Sequence, residues 1–488
     1  MDNITITIPE GTDLNSLEEQ PGPAATMHEA APGSVREVLA QLLEDLQPVS
    51  FKDKENKDLK QTHAIVLIVD EVLEAAQRRK WGLAKRYDFV YCFAGKYWQQ
   101  LDKDELKAFL ARAAQEMGYS SREARYFEFQ NRLLQQFIAV GHLSTPEAPK
   151  DKVLINFQNG TLEINGEGPK LREHRPADFL TYVLPFEYSK HAQAPRFQEY
   201  LRQVLPQQST RDILAEFVAY CFLPALKLEK VLLLYGSGAN GKSVFFDVMG
   251  ALLGPSNVSS YSLANLAEEH NRAGIADKLL NYGSEINAGA IGRDLFKQLA
   301  SGEPVQARLK YGNPFIMKGY ARLMFNANTL PRDTEQTEAF FRRFLIVPFS
   351  VTIPDAQQDK NLALRIIAQE LPGVFAWVLQ GLERLLKQQN FSPCDAVEAT
   401  LKRYRRESDS VQQFLEEPDT NYIPAEEGPD WIALKDMYPQ YRHFCTDSGF
   451  KPVSIYNFSE RLEKQGFATK KRNVGKVVFC LKSDEVTK

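Results

Sequence analysis

VLLLYGSGANGKSVFFDV, residues 231–248, joins an apolar run, a glycine-rich turn and the start of an amphipathic helix. The run Val231–Leu234 is apolar on both faces, as a buried parallel strand requires. The turn Gly236-Ser237-Gly238-Ala239-Asn240-Gly241-Lys242-Ser243 fits GxxxxGK[ST]. Val244, Phe245, Val248 and Leu252 then give a helix its apolar side. Strand, loop and helix are the context in which this motif cradles phosphates. Gly236, Gly238 and Gly241 let the backbone turn with positive φ and approach an anion closely. The loop N–H groups and the helix N-terminus present partial positive charge to it. In that chemistry Lys242 reaches the outer phosphates and the Ser243 hydroxyl ligates magnesium, so ATP and Mg2+ are the expected cofactors. The competing reading is a glycine turn that binds nothing. From average residue usage, a chance match arises in about one or two per cent of chains this long.

Working outward, residues 229–350 alternate strands and helices, the pattern of an α/β fold with a parallel sheet. In KLLNYGSEI, residues 278–286, Leu279, Leu280 and Tyr282 build a strand with Glu285 at its C-terminal end. That edge is where α/β sheets collect ligand chemistry. Glu285 is suited to orient and deprotonate an attacking water; a plain strand-end glutamate is the alternative. ARLMFNAN, residues 321–328, ends in Asn326 and Asn328. An amide there can hold the water or the γ-phosphate, although asparagine also favours turns. FFRRFLIVPF, residues 340–349, sets Arg342 and Arg343 before a buried strand. Both are candidates for an arginine finger acting across a subunit boundary.

The rest of the chain bounds the class. With 488 residues, 43% hydrophobic and 25% charged, the composition is that of a soluble globular protein with two to four domains. A net charge of -4 means that any nucleic-acid role needs local basic surfaces. No stretch approaches the roughly 20 apolar residues of a membrane span, and MDNITITIPEGTDLN lacks the features of a signal peptide. Cys92, Cys221, Cys394, Cys445 and Cys480 are far apart and form no CxxC pair, which fits scattered reduced thiols in a cytoplasmic protein. Residues 1–34 read as a flexible arm, and VREVLAQLLEDL starts a helical region. VLINFQNGTLEI reads as a hairpin around Asn159-Gly160.

The order of these features resembles the superfamily 3 helicases. The asparagine before GKS, the short Glu-bearing strand, LFKQLASGEPVQARLKYGNPFIMKGYARLMFNAN and FFRRFLIVPF carry the likeness. More narrowly, the chain resembles the phage and plasmid primase–helicases, related to the poxvirus primase–helicase. AGKYWQQLDKDELKAFL, INFQNGTLEI and LREHRPADFLTYVLPFEY are similar to the collar domain that precedes the ATPase in that family. The resemblance implies a P-loop, AAA+-like parallel-sheet ATPase with a helical or α+β collar and a C-terminal winged-helix-like domain. It divides the chain into an arm at 1–34, a collar or oligomerisation domain at 35–200, an ATPase domain at 201–390, a linker at 391–430 and a DNA-binding domain at 431–488. It makes Gly236–Ser243 the Walker A loop, Glu285 the Walker B glutamate and a metal site together with Ser243, Asn328 the sensor-1 residue, and Arg343 the better finger with Arg342 beside it. It also implies a β-hairpin projecting into a ring pore, with its tip near Lys310-Tyr311-Gly312-Asn313. Lys310 and Lys318 would meet phosphate and Tyr311 would stack on bases of single-stranded DNA; for the two lysines a solvated face is the alternative. Ser284 stands where many relatives have a second acid. Residues 1–85 lack the paired acids of a primase, so a separate primase is an expected partner.

In the last unit, VSIYNFSERLEKQGF reads as a helix with Ser454 as N-cap and Ile455, Phe458 and Leu462 buried. Arg461 and Lys464 point away. Lys470, Lys471, Arg472 and Lys476 surround the following turn, as a basic wing would. The alternative is a packing domain with a solvated loop. Taken together, the expected function is an ATP-dependent helicase on single-stranded and forked DNA, assembled as a homohexameric ring, in replication of a phage, plasmid or integrated island. The competing classes are an ATP-switched initiator or loader that unwinds little, and a small-molecule P-loop enzyme.

Overall fold

The computed structural model describes residues 34–78, 83–87, 89–141, 151–165, 168–283, 286, 293–310, 312–330, 336–417 and 422–482. The arm expected at 1–34 lies outside them except for Ser34, whose hydroxyl accepts the Glu37 N–H at 3.3 Å and caps the first helix.

The N-terminal unit comprises α1 (Val35–Asp45), α2 (Gln61–Arg78), β1 (Leu83–Arg86), β2 (Phe89–Phe93), β3 (Trp98–Leu101), α3 (Lys103–Glu116), α4 (Ser121–Ala124) and α5 (Phe127–Val140). All of β2 is buried because its two faces serve different cores. Val90 and Cys92 join the helices in one core, whereas Phe89, Tyr91 and Phe93 face the core under the parallel sheet. A three-stranded antiparallel sheet follows, β4 (Val153–Phe157), β5 (Gly160–Asn165) and β6 (Gly168–Arg172), and then α6 (Pro195–Val204) and α7 (Gln208–Tyr220).

Residues 231–348 form β7 (Val231–Tyr235), α8 (Lys242–Leu253), β8 (Val258–Ser259), α9 (Glu269–Ala273), β9 (Leu280–Gly283), α10 (Arg293–Ser301), β10 (Val305–Arg308), β11 (Pro314–Met317), β12 (Arg322–Ala327), α11 (Glu338–Phe341) and β13 (Phe344–Pro348). Five strands make a sheet in the order β13-β7-β12-β9-β8, every neighbour parallel. The apolar run of β7 is central because both its faces are covered. Leu232 and Leu234 face the core shared with α8; Val231 and Leu233 face the other core. The antiparallel pair β10–β11 stands apart from this sheet.

After β13 come α12 (Leu362–Gln369), α13 (Leu371–Gln388), α14 (Asp395–Glu407) and α15 (Ser410–Leu415). The last unit holds β14 (Tyr422–Pro424), β15 (Trp431–Ala433), α16 (Leu434–Asp447), α17 (Ile455–Lys464), β16 (Thr469–Arg472) and β17 (Gly475–Lys482). Its three short strands all pair with β17. Among the described residues, no single helix is long and apolar enough to cross a membrane.

Three expectations are corrected here. The linker at 391–430 contains α14 and α15. Val397, Thr400 and Tyr404 line one face of α14, and Tyr404 lies edge-on to Phe341 and Phe344; the high charge of LKRYRRE conceals that face in the sequence. The boundary at 200 does not separate cores, since Ile155 and Phe157 pack with α8 and α13, and Phe157 meets Phe375 edge-on at 4.8 Å. Ile455 is exposed, because the first turn of α17 overhangs the core that holds Phe458 and Leu462.

Candidate functional site

The loop Gly236–Gly241 leaves β7 at the C-terminal edge of the parallel sheet, where a cleft opens. Gly236 N–H donates to Ala327 O at 3.0 Å, which ties the loop to β12. A Cβ at Gly236 would sit 2.4 Å from Phe349 O and 2.4 Å from the Asn240 amide. Gly241 has φ +87° and begins α8; a Cβ there would lie 2.7 Å from Val204. These two positions require glycine for different reasons, close approach and left-handed backbone. Ala239 also takes a left-handed φ, +57°, and its carbonyl accepts the Ile353 N–H at 2.8 Å.

Buried Asn240 clamps the loop, its amide donating to Ser237 O and to Phe349 O. Lys242 is buried, and its ammonium donates to Gly236 O at 2.6 Å and to the Asn240 side-chain oxygen at 3.0 Å. Burial pushes this ammonium below its ordinary pKa. Ser243 is exposed on the first turn of α8, and Asp247, one turn on, shares its face. On β12, Asn326 has its side-chain oxygen occupied by the Tyr282 hydroxyl at 2.6 Å, so its amide N–H groups remain for the cleft. Asn328 is exposed on the same rim.

Together these groups border a cleft of about 1030 Å³, closed on the other sides by α6 and by the segment entering α12. Arg196 and Glu199 line it from α6; Asp359 and Lys360 line it from the segment and Arg365 from α12, with Arg365 ion-paired to Asp359. The volume and the convergent N–H, ammonium and hydroxyl groups suit a polyanionic small molecule.

Glu285 and Ser284 lie outside the described residues, as does Tyr311. β9 ends at Gly283, beside β12 in the sheet. Arg342 and Arg343 are not in the cleft. Arg343 O accepts from Val231 N at 2.7 Å, which puts both arginines at the opposite end of β7 from the loop. Arg343 is buried, donates to Ser301 at 3.2 Å and to Ala339 O, and sits 3.5 Å from the Glu229 carboxylate. Arg342 is exposed and pairs with Glu229 at 2.7 Å.

Lys310 is exposed in the β10–β11 turn, whereas Lys318 follows β11 at the hairpin base; the two are at opposite ends. In the last unit four of the six cations expected to meet DNA have carboxylate partners. Arg461 turns inward to Asp409 at 3.2 Å, which corrects the expectation that it points away. Lys464 pairs with Glu460, Lys470 with Glu427 and Lys476 with Glu463, at 2.7, 2.5 and 2.7 Å. Arg472 lies over Trp431 and Phe479, 5.2 Å from each ring, and Lys471 is exposed.

Sequence reading missed Tyr200 and Asp247. Tyr200 lies on α6 and donates to Gly241 O at 2.8 Å, a contact between distant segments that no motif announces. Asp247 has a signal, since it is four residues after Ser243 on one helix.

Residues 54–206 match the family model described as D5 N terminal like. Residues 234–343 match one described as a family of unknown function, DUF5906. A protein of Acanthamoeba polyphaga mimivirus named "Putative helicase L207/L206" is 22% identical over 328 residues, 60% of this chain and 33% of that protein. The chain thus spans about a third of this curated relative's length. Among solved structures, two apo forms of the NrS-1 C-terminal region align with 84% and 86% of this chain and with 98% and 100% of theirs. Their identities are 12% and 11% and their TM-scores 0.48 and 0.49. The matches are to a D5 N terminal like family and to a helicase-named viral protein, and the chain itself is a mixed α/β protein with a parallel sheet.

Proposed function

We propose that this chain is the ATP-hydrolysing motor of a superfamily 3 DNA helicase, assembled as a ring and acting in the replication of a mobile element. One observation carries the reading: Lys242 and Ser243 sit on a glycine loop at the C-terminal edge of a five-stranded parallel sheet, while a separate β-hairpin, β10–β11, grows from the connection between α10 and β12 of that sheet. The similarity to a helicase-named viral protein and to the D5 N terminal like family supports it.

In this reading Gly236–Ser243 is a P-loop. Lys242 exchanges the loop carbonyls it now touches for phosphate oxygens, and the loop N–H groups bind the remaining charge. The exposed Ser243 hydroxyl and the carboxylates of Glu285 and Asp247 are hard oxygen donors of the kind magnesium takes. Bound Mg-ATP supplies the phosphoryl group to be cleaved. Glu285 takes the proton of the attacking water. The Asn326 and Asn328 amides donate to the water or the γ-phosphate.

An arginine at the far end of β7 cannot serve its own loop, so a neighbouring copy supplies it, which makes a ring, by family likeness a hexamer, part of the mechanism. Arg342, exposed, is the finger; Arg343 holds the turn on Ser301 and Glu229. Lys310 and Tyr311 contact single-stranded DNA from the hairpin turn. The last unit, read as a winged helix, is an accessory DNA contact.

The test is ATP hydrolysis with and without single-stranded DNA, beside strand displacement on a fork. Stimulated hydrolysis and displacement are expected. Hydrolysis that ignores DNA overturns the helicase reading. ATP-dependent DNA retention without displacement turns it into an initiator or loader.

A further inference from the structure

The N-terminal unit reaches the β10–β11 hairpin through the turn between β1 and β2. Tyr87, in that turn, has φ +56°, a backbone region that L-residues enter only when the surroundings hold them there. Its hydroxyl oxygen accepts two successive backbone N–H groups, Lys318 at 2.9 Å and Gly319 at 3.0 Å. These residues leave β11 and lead to β12. The Tyr87 ring also stacks on Phe315 of β11, with centroids 5.1 Å apart and planes at 25°, and Phe89 meets the same Phe315 edge-on.

Beside this contact, Arg86 pairs with Asp277 at 3.0 Å, and the Tyr91 hydroxyl donates to the other Asp277 oxygen at 2.6 Å. Asp277 N–H donates to Gly319 O at 3.3 Å. Three residues later the chain enters β9, the strand before Glu285. One turn of the N-terminal unit therefore grips both the hairpin's exit and the entry to the strand that leads to the proposed base.

Packing alone needs only the ring. A phenolic oxygen shared by two consecutive N–H groups additionally fixes the orientation of the peptide between them. The hairpin is a pair of four-residue strands outside the main sheet, too short to hold its direction alone. On one side α9 holds β10, with Arg272 Nε donating to Gln306 O at 2.9 Å; on the other Tyr87 holds the exit of β11, and the two contacts together decide where the turn points.

We infer that Tyr87 is a positioning residue for the β10–β11 hairpin, through which the N-terminal unit sets how the hairpin engages single-stranded nucleic acid. This rests on the helicase reading of that hairpin. Tyr87 touches neither the cleft nor the strand of nucleic acid; it acts through Phe315, Lys318 and Gly319.

The experiment uses the full chain, a fluorescent oligothymidylate read by anisotropy, and ATP hydrolysis in parallel. Tyr87→Phe keeps the ring and removes the acceptor. Hydrolysis without DNA should stay within about twofold of the parent, while the oligothymidylate concentration for half-saturation rises about fivefold to tenfold, the equivalent of roughly one hydrogen bond. The same substitution on a Lys310→Ala background should have little further effect, because the lysine whose placement it controls is gone. A merely structural role would weaken both backgrounds equally. The inference is overturned if Tyr87→Phe binds like the parent, or if its effect is undiminished in the Lys310→Ala background. A parent that binds no oligothymidylate is a separate result, visible without any variant; it overturns the helicase reading and this inference with it.

Discussion

The Tyr200 hydroxyl donates to Gly241 O across 2.8 Å, joining α6 to the residue that starts α8. Tyr200 is fully buried, and burial holds its hydroxyl far above the ordinary pKa, so it stays a donor at any working pH. The left-handed turn at Gly241 is thus fixed from outside the loop, by a residue 41 positions earlier.

Tyr200→Phe tests that relationship. It removes one buried hydrogen bond and leaves the Gly241 carbonyl without this donor, a loss of about 1 kcal/mol. ATP affinity, measured by titration calorimetry, should fall about fivefold. An unchanged affinity would mean that the loop holds its shape without α6.

Lys242→Ala should abolish ATP hydrolysis, by roughly a hundredfold or more. The lysine also predicts a pH dependence. Its folded-state pKa lies below the ordinary 10.5 because burial disfavours the charged form. Between the lowered and the ordinary value the unfolded chain holds more protons, so nucleotide-free stability rises with pH in that window. Affinity for ATP moves the other way, since phosphate needs the ammonium. Binding measured from neutral to alkaline pH should weaken below 10.5 in the parent. The same curve in Lys242→Arg should stay flat, because guanidinium does not titrate there.

The adjacent arginines should separate. Arg342→Ala removes an exposed side chain and should leave thermal unfolding unchanged while lowering ATP hydrolysis about tenfold or more. Mixing it with Lys242→Ala should restore part of the activity, because each copy supplies what the other lacks. Arg343→Ala removes a buried cation from Ser301 and leaves Glu229 less compensated, and should destabilise by about 2–4 kcal/mol in thermal or denaturant unfolding. If Arg343→Ala folds normally and Arg342→Ala hydrolyses ATP normally, the assignment is reversed.

Lys310→Ala should leave hydrolysis without DNA unchanged and lose fork unwinding. Parental unwinding by this variant would remove the hairpin from the mechanism.

In the last unit, Glu463 occupies Lys476 and accepts from Thr469, contacts that hold its carboxyl below the usual range. Glu463→Gln should release Lys476 and strengthen duplex DNA binding by about twofold to fivefold at low salt. Should affinity stay constant at low salt, the hairpin's charges would be a solvated face rather than a DNA contact.

Much of the fold was legible because it is written locally. Val231–Leu234 suits a strand covered on both sides, and the glycines after it suit a turn; both are properties of short runs of backbone and side chain. The alternation across 229–350 follows from the same period rules and is the parallel sheet observed. The face of α14 was less legible, because three buried residues among seven charged ones give a weak apolar signal.

What the tertiary structure decided is which distant groups meet. Adjacent arginines look equivalent in FFRRF, but one points into Ser301 and the other outward, because the turn before β13 presents its two sides to different surroundings. The basic residues around Asn473 look free in one dimension; folding brings Glu427 and Glu463 onto two of them. Tyr87 and Tyr200 bear no motif at all, since a hydroxyl finds its carbonyl or N–H only once segments far apart in sequence have packed. Local sequence sets backbone conformation through sterics and periodicity; partners across the core are set by packing, which no short stretch contains.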